Sequence, residues 1–253
     1  MSIHQDDWNS HWDNFGDSSE INPAVRYRQK YLVKLLNSFE TSSENVLMDI
    51  GCGTGSFLHV LEQENLNFRL IGLEPSASGC DRARLQTGAT IIEGDVLALS
   101  SLSTDVFEVA DIAVCSEVIE HVDDPVLFLR ECKHLLKSNG VIIITVPGGF
   151  RSAYDKHIGH RQHYSKRLLL NTLLGAGFKD VRVYRAGFPI FNVYKLLTIL
   201  AGRKLISTVS SSEQHGDSKL TVFVSRFFNL IFRFSMPDFP LGWQLVATAR
   251  KVS

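Results

Sequence analysis

Three glycines and an acidic residue stand together at one turn of the chain, and their spacing could form a ligand site. The apolar run Val46–Ile50 contains Asp49 and leads directly into Gly51-Cys-Gly-Thr-Gly55. Glycine has no Cβ and accepts positive φ, so backbone at such a turn can approach a nucleotide-like ligand closely. The dinucleotide motif needs a glycine at the sixth position, which is Ser56 here, and a P-loop needs a lysine that this turn lacks. Asp49 favours a cationic ligand over a pyrophosphate.

A second carboxylate, Glu74, stands at the end of the next apolar run and is followed by Pro75. A carboxylate at the tip of a second strand can accept hydrogen bonds from both hydroxyls of a ribose. Asp95 and Val96 follow the third apolar run, where they are placed for an adenine. A ribose with a positively charged, phosphate-free tail describes S-adenosylmethionine, which the sequence therefore predicts as the cofactor.

Short β-branched runs alternate with helical patterns along the chain. This alternation predicts an α/β fold, a parallel sheet with helices on both faces. Asp124-Pro125 begins one helix and Asn139-Gly140 ends it just ahead of the next strand, while Ser165 begins another. The predicted strands are Val46–Ile50, Leu70–Leu73, Thr90–Ile92, Ile112–Cys115, Val141–Val146, Val181–Tyr184 and Leu245–Ala249.

These motifs, in this order, closely resemble the class I S-adenosylmethionine-dependent methyltransferases, in particular the ubiquinone-biosynthesis-like and polysaccharide-cluster-like branch. The resemblance rests on Val46–Gly55, Leu73–Pro75, Gly94-Asp95, Ser116–Pro125 and Leu136–Gly140. It implies a Rossmann-like, seven-stranded sheet whose last strand is antiparallel. It also implies site roles: Asp49 and the backbone of Gly51, Cys52 and Gly53 at the methionine part, Glu74 and Pro75 at the ribose, Asp95 and Val96 at the adenine, and Ser116 near the acceptor.

A general base assists methyl transfer when the acceptor is a hydroxyl, and histidine suits that role. His121 follows the fourth predicted strand, and methyltransferases that this chain resembles carry a catalytic histidine near there. We predict catalytic roles for His121, His160 and His163. The alternative is that His121 only hydrogen-bonds backbone at a turn.

Residues 154–165 resemble a Gly-His-Arg-x-x-Tyr-Ser stretch of bacterial methyltransferases found with glycan and lipid assembly enzymes. The resemblance implies a lid facing the acceptor, in which Arg161 meets a carboxylate or phosphate and Tyr164 shapes the pocket. The alternative is that the stretch only braces the following helix. His160 and His163 have a spacing that metal ligands use on a helix, but we expect no acidic or cysteine side chain to complete a site with them. We predict no metal.

Two segments lie outside the predicted core of residues 41–186 and 241–253. Residues 1–40 form an N-terminal arm and cap helix, and residues 187–240 form a helical insert before the last strand. We predict helices at 190–201 and 220–234 within the insert. On the second helix, the polar residues Arg226, Asn229 and Arg233 form one narrow basic stripe. Such a helix could lie on anionic lipid, cover an apolar acceptor or simply pack against the core.

Composition limits the partners. The formal net charge is -1, which disfavours nucleic acid as the main partner. The charge is nevertheless segregated: residues 1–25 hold five carboxylates and no Lys or Arg, and residues 185–236 hold seven Lys or Arg against two carboxylates. The start has no signal-peptide character and the four cysteines have no disulfide or metal spacing, so we expect a cytoplasmic protein, with attachment to a membrane surface open.

Function is therefore predicted as O-methylation of a small, glycan-linked or lipid-linked acceptor. Methylation of a quinone-like ring is the alternative within the same class. An NAD-dependent oxidoreductase or epimerase is a rival of another class, against which Asp49 and the missing sixth-position glycine argue. A non-catalytic cofactor-binding protein is a further alternative.

Overall fold

A mixed sheet of seven strands, in the order β3-β2-β1-β4-β5-β7-β6, forms the centre of the protein. The computed structural model describes residues 7–39, 42–211 and 226–252. Strands β1 to β5 run parallel, and β7 runs antiparallel to both β5 and β6. The strands are β1 Val46–Ile50, β2 Arg69–Glu74, β3 Thr90–Glu93, β4 Ala110–Ser116, β5 Leu136–Pro147, β6 Lys179–Ala186 and β7 Gln244–Arg250.

Eight α-helices lie within the described ranges and surround this sheet. They are α1 Trp8–Ile21, α2 Pro23–Leu36, α3 Ser56–Gln63, α4 Ala77–Gln86, α5 Pro125–Leu135, α6 Ala153–His157, α7 Lys166–Gly175 and α8 Ile190–Ser211. Residues 226–231 are also helical and continue into a 3-10 turn, Phe232–Phe234. The sequence prediction of a Rossmann-like α/β fold with an antiparallel last strand is confirmed.

Local signals explain several of these boundaries. The Asp124 side chain accepts hydrogen bonds from Val126 N and Leu127 N, and Pro125 fills the first helical position of α5. Ser165 caps α7 in the same way. The prediction that α5 runs on toward Asn139 is wrong, because β5 already begins at Leu136.

Apolar side chains fill both faces of the sheet. One core cluster joins the sheet to α5 and α7, and a second joins it to α2 and α3. A third, aromatic cluster joins α2 to the insert through Tyr27, Phe191, Phe228 and Phe232. The insert is therefore packed onto the N-terminal cap, and these two segments together flank one end of the sheet.

The N-terminal arm is helical as well. Helix α1 packs on the start of α4, where Asn9 Oδ1 accepts a hydrogen bond from Ser76 Oγ and Asp13 Oδ1 accepts one from Ser78 Oγ. In the insert, α8 is longer than predicted, and residues 220–225 of the second predicted helix lie outside the described residues. Among the described residues, we find no helix with both the length and the apolar character needed to cross a membrane.

Candidate cofactor and acceptor site

A cavity of about 1020 Å³ opens at the carboxyl ends of the parallel strands. Ligands of open α/β sheets bind at this edge, because parallel strands bring their carboxyl ends together there. All nine residues predicted to bind the cofactor line this one cavity: Asp49, Gly51, Cys52, Gly53, Glu74, Pro75, Asp95, Val96 and Ser116.

The turn after β1 requires glycine for steric reasons. Gly51, Gly53 and Gly55 have φ values of +73°, +54° and +80°, a region that side chains with Cβ rarely enter. A Cβ on Gly53 would lie 2.5 Å from the ring of Trp12. The glycines therefore allow a tight turn at the cavity wall, and Trp12 of α1 packs directly over it.

Glu74 is held at the end of β2 by three donors. Its Oε2 accepts from Gly53 N at 2.9 Å, and its Oε1 accepts from Ser76 N at 3.1 Å and from Trp12 Nε1 at 3.2 Å. Burial raises the pKa of Glu74, while these three donors act in the opposite direction. The predicted ribose carboxylate therefore already has a hydrogen-bond partner from α1.

Asp49 lies buried beside this carboxylate, with 3% of its surface exposed. Burial and the charge of Glu74 raise the pKa of Asp49 to about 7. A positively charged group in the cavity would relieve both effects, since it favours the ionised carboxylate.

The donors and acceptors in this half of the cavity fit S-adenosylmethionine. Two buried carboxylates suit a cationic tail and a ribose diol, and the glycine turn brings backbone to the cavity wall. Asp95 has one carboxylate oxygen in use, because Oδ1 accepts from Leu97 N at 2.8 Å, and Val96 is buried next to it. When bound, this cofactor supplies an electrophilic methyl group.

His121 and His160 line the acceptor half of the same cavity. Their ring centroids lie 4.7 Å apart, and Trp8 of α1 lies 5.0 Å from His121 on its other side. Burial is the main cause that lowers the pKa of His121 and of His160 to about 3. Both imidazoles are therefore neutral at neutral pH, which is the form that can accept a proton.

His163 does not line the cavity but lies behind His160. Its Nε2 is 3.2 Å from His160 Nδ1 and 3.7 Å from Asp155 Oδ2. The expectation that no acidic side chain accompanies these histidines is therefore wrong. Asp155 stands five residues before His160 in the sequence. The turn of α6 brings its carboxylate next to the two histidines, and the sequence pattern does not show this.

Two groups of three side chains have atoms within 4.8 Å of one another that could hold a metal: Glu120, His121 and His160, and Asp155, His160 and His163. Lys195 and Arg28 repel a positive charge on His160, and Arg161 does so on His121. The same repulsion opposes a divalent cation. The absence of a metal stays a prediction.

Arg161 and Tyr164 are placed differently from each other. Arg161 lines the cavity, but its Nε donates to Asp123 Oδ1 and its Nη1 to Gly159 O. Tyr164 is buried away from the cavity, where its hydroxyl donates to Ile119 O at 3.2 Å. Tyr164 thus anchors the turn after β4 and does not line the cavity.

Glu117 was missed by the sequence analysis although it lines the cavity directly after Ser116. Its backbone has φ +57°, an uncommon conformation for a residue with Cβ. Its Oε1 accepts from Gln244 Nε2 at 2.9 Å and from Thr145 Oγ1 at 3.1 Å, and Oε2 lies 3.6 Å from Arg28 Nη1. The sequence could have pointed to Glu117, because it stands at the end of a parallel strand, where ligand-binding side chains gather.

Glu120 is the other acidic residue of that motif, and it is fully buried. Neither of its carboxylate oxygens has a hydrogen-bond partner among the described residues. Burial, with the charge of Glu117, raises the pKa of Glu120 well above its ordinary value. Burial therefore favours the protonated form of this side chain.

Known proteins match both the sequence and the fold. A family model described as a methyltransferase domain matches residues 24–183. The ubiquinone biosynthesis O-methyltransferase of Bradyrhizobium diazoefficiens is 33% identical over 99 residues, which cover 39% of this chain and 38% of the relative. That of Histophilus somni is 26% identical over 145 residues, which cover 54% and 58%. The chain thus matches less than two thirds of the length of these relatives.

Solved structures are similar over the whole chain. Phosphoethanolamine N-methyltransferase 2 of Haemonchus contortus, in complex with S-adenosyl-L-methionine, has a TM-score of 0.63 at 15% identity, covering 100% of this chain and 62% of that one. A SAM-dependent methyltransferase of Thermotoga maritima has a TM-score of 0.58 at 18% identity, covering 96% and 95%. At these identities the likeness concerns the fold.

Proposed function

Since the chain belongs to the methyltransferase domain family and is an S-adenosylmethionine-dependent enzyme, we propose that it methylates a hydroxyl oxygen of a small, glycan-linked or lipid-linked acceptor. One observation carries the choice of oxygen: neutral, buried histidines line the cavity that also holds the cofactor residues. A hydroxyl must lose its proton as the new bond to carbon forms, and a neutral imidazole can take it.

The proposal assigns roles to the residues of the cofactor half. Asp49 and the turn backbone bind the cationic tail, Glu74 binds the ribose hydroxyls, and Asp95 with Val96 binds the adenine. In the acceptor half, His121 and His160 face the reacting oxygen, and the other residues that line the cavity hold the acceptor in position.

A quinone-like ring is the second candidate acceptor. Aromatic side chains support it, because Tyr154, Phe191, Tyr194 and Trp243 line the cavity and could stack on a flat ring. The two sequence relatives are both ubiquinone biosynthesis O-methyltransferases.

Calorimetry with S-adenosylhomocysteine tests the cofactor half. We expect the wild type to bind and Glu74→Ala to lose at least about tenfold in affinity, because hydrogen bonds to a charged group contribute roughly 1.5–3 kcal/mol. Glu93→Ala is a matched control, since Glu93 is an exposed carboxylate at the end of neighbouring β3. Binding of NAD in place of S-adenosylhomocysteine would overturn the proposal.

Labelled methyl transfer separates the acceptors. A catechol without a tail, a catechol with a prenyl tail and a lipid-linked sugar would each be incubated with the enzyme and the methyl-labelled cofactor. Label on the sugar supports the first candidate, and label on the prenylated catechol alone supports the quinone-like ring. Label only on an amine probe, included in parallel, would refute oxygen as the acceptor atom.

We also propose that the insert contacts a membrane surface. Helix α8 exposes Val193, Leu196, Leu197 and Leu200, which share one face by their spacing, and Phe227 and Leu230 are exposed in the second helical stretch. Arg226 and Arg233 are exposed and stand on either side of Phe227 and Leu230 in the sequence. Wild-type protein should sediment with anionic vesicles, and the Arg226→Glu/Arg233→Glu variant should not; equal sedimentation or none at all would refute this contact.

A further inference from the structure

A carboxylate in the wall of the acceptor half, that of Asp155, accepts three hydrogen bonds. Asp155 is 1% exposed, and its Oδ1 accepts from Lys195 Nζ at 2.6 Å. Its Oδ2 accepts from Ser152 N and Ser152 Oγ, both at 2.7 Å, which closes the capping box of α6. Asp155 therefore has a fixed position and a fixed countercharge.

Two imidazoles lie next to this carboxylate. His163 Nε2 lies between Asp155 Oδ2, at 3.7 Å, and His160 Nδ1, at 3.2 Å. His160 lines the cavity whereas His163 does not. Because Nδ1 of His160 is engaged with His163, Nε2 is the nitrogen that His160 can offer to an acceptor. The polar groups thus form one chain that begins at His160, passes through the buried side chain of His163 and ends at Asp155, which lines the same cavity.

We propose that this chain is a proton relay in which His160 accepts the acceptor's proton, His163 receives a proton from His160, and Asp155 and Lys195 are positioning residues. The inference rests on the proposed O-methylation. As the acceptor O–H bond breaks, its proton bonds to His160 Nε2 and the proton of His160 Nδ1 moves to His163 Nε2. The electron pair left on the oxygen bonds to the methyl carbon, and the electron pair of the broken methyl–sulfur bond stays on the departing S-adenosylhomocysteine. The positive charge then resides on His163, next to the Asp155 carboxylate.

The surrounding charges agree with proton transfer from His160 to His163. Burial lowers the pKa of His160 and of His163, so both start neutral. Burial opposes the ionisation of Asp155, yet Lys195 lowers its pKa to about 2 and keeps it a carboxylate. Asp155 attracts a proton on either ring and Lys195 repels it. The titratable and charged groups facing the two rings are Arg28 of α2, Glu117, Glu120 and His121 after β4, Asp155 of α6, and Lys195 of α8.

This arrangement predicts a specific effect of removing the countercharge. Lys195→Met leaves Asp155 as an uncompensated carboxylate beside His163, which should raise the pH midpoint of protonation of His163 by roughly one to three pH units. The double variant Asp155→Asn/Lys195→Met removes both charges and should return the midpoint to near that of the wild type. A merely structural role for Lys195 would not produce this cancellation.

The experiment is 15N NMR of the histidine side chains in the full chain, saturated with S-adenosylhomocysteine. Lys156→Met is the matched control, since Lys156 is an exposed lysine on the same short helix as Asp155. Lys195→Arg keeps the charge and should keep the wild-type midpoint. If Lys195→Met does not fold, Lys195→Gln and the double variant carry the test. An unchanged His163 midpoint in the folded single variant would overturn the relay.

A kinetic measurement separates this inference from the proposed function. With a catechol as the probe acceptor, Asp155→Asn should lower kcat by about tenfold or more while leaving the KM for the cofactor unchanged, and His160→Gln should lower kcat by about 100-fold. Loss of S-adenosylhomocysteine binding in the wild type would refute the proposed function. Intact binding and transfer with an unchanged kcat in Asp155→Asn would refute the relay alone.

Discussion

Asp49 should make cofactor binding depend on pH. Its carboxyl is buried, and burial with repulsion from Glu74 raises its pKa to about 7. A cation bound against Asp49 favours the carboxylate, so the pKa is lower in the complex than in the free protein. Below pH 7 most of the free protein carries a proton on Asp49 that must leave on binding. The affinity for the cofactor therefore falls as the pH falls.

The size of the effect follows from that pKa. With a midpoint of about 7 in the free protein and one well below 6 in the complex, the affinity at pH 6 is about tenfold weaker than at pH 8, or about 1.4 kcal/mol. Binding should release about 0.9 proton at pH 6 and about 0.1 proton at pH 8.

Calorimetry in two buffers of different ionisation enthalpy measures both the affinity and the number of protons released. Asp49→Asn cannot titrate at this position and should bind S-adenosylhomocysteine more weakly, with little change between pH 6 and pH 8. Equal wild-type affinity at the two pH values would refute the reasoning, as would a full tenfold dependence that persists in Asp49→Asn.

Three further predictions follow from the site. Gly53→Ala should lower the free energy of unfolding by about 1–2 kcal/mol, because φ is +54° and the new Cβ meets Trp12; a melting temperature no lower than that of the Gly88→Ala control would contradict this. The lowered pKa of Asp155 stabilises the fold above pH 4 and this stability is lost toward pH 2, so acid unfolding followed by circular dichroism should be less steep in Asp155→Asn. Methyl transfer should survive EDTA treatment, and activity that is lost and then restored by a divalent cation would show that a metal is required.

The fold could be predicted because its signals are local. Each parallel strand is a short β-branched run, and Asp124 and Ser165 mark helix starts within a few residues of themselves. The end of α5 could not be predicted in this way. Leu136 leaves the helix because it pairs with Ala110, and this pairing depends on the register of two distant strands.

The cofactor half was predictable for a related reason. Asp49 and Glu74 stand at the ends of strands that are neighbours in the sheet, so the topology alone brings them together. The acceptor half depends on contacts between distant segments. Lys195 meets Asp155 across 40 residues through the insert, and Arg28 meets Glu117 from the N-terminal cap. No periodicity in the sequence encodes these pairs, since they exist only after both segments have packed on the sheet.

The hydrogen bond from Trp12 to Glu74 has a consequence for how the two substrates arrive. On the proposal that Glu74 binds the ribose, the indole and the ribose hydroxyls compete for the same carboxylate oxygen. Cofactor entry is then an exchange of donors, and the net gain at Glu74 is smaller than the ribose contacts alone would give. Trp8 lies one turn away on α1 and contacts His121. Displacing Trp12 therefore also shifts the wall beside His121, which favours an order in which the cofactor enters before the acceptor.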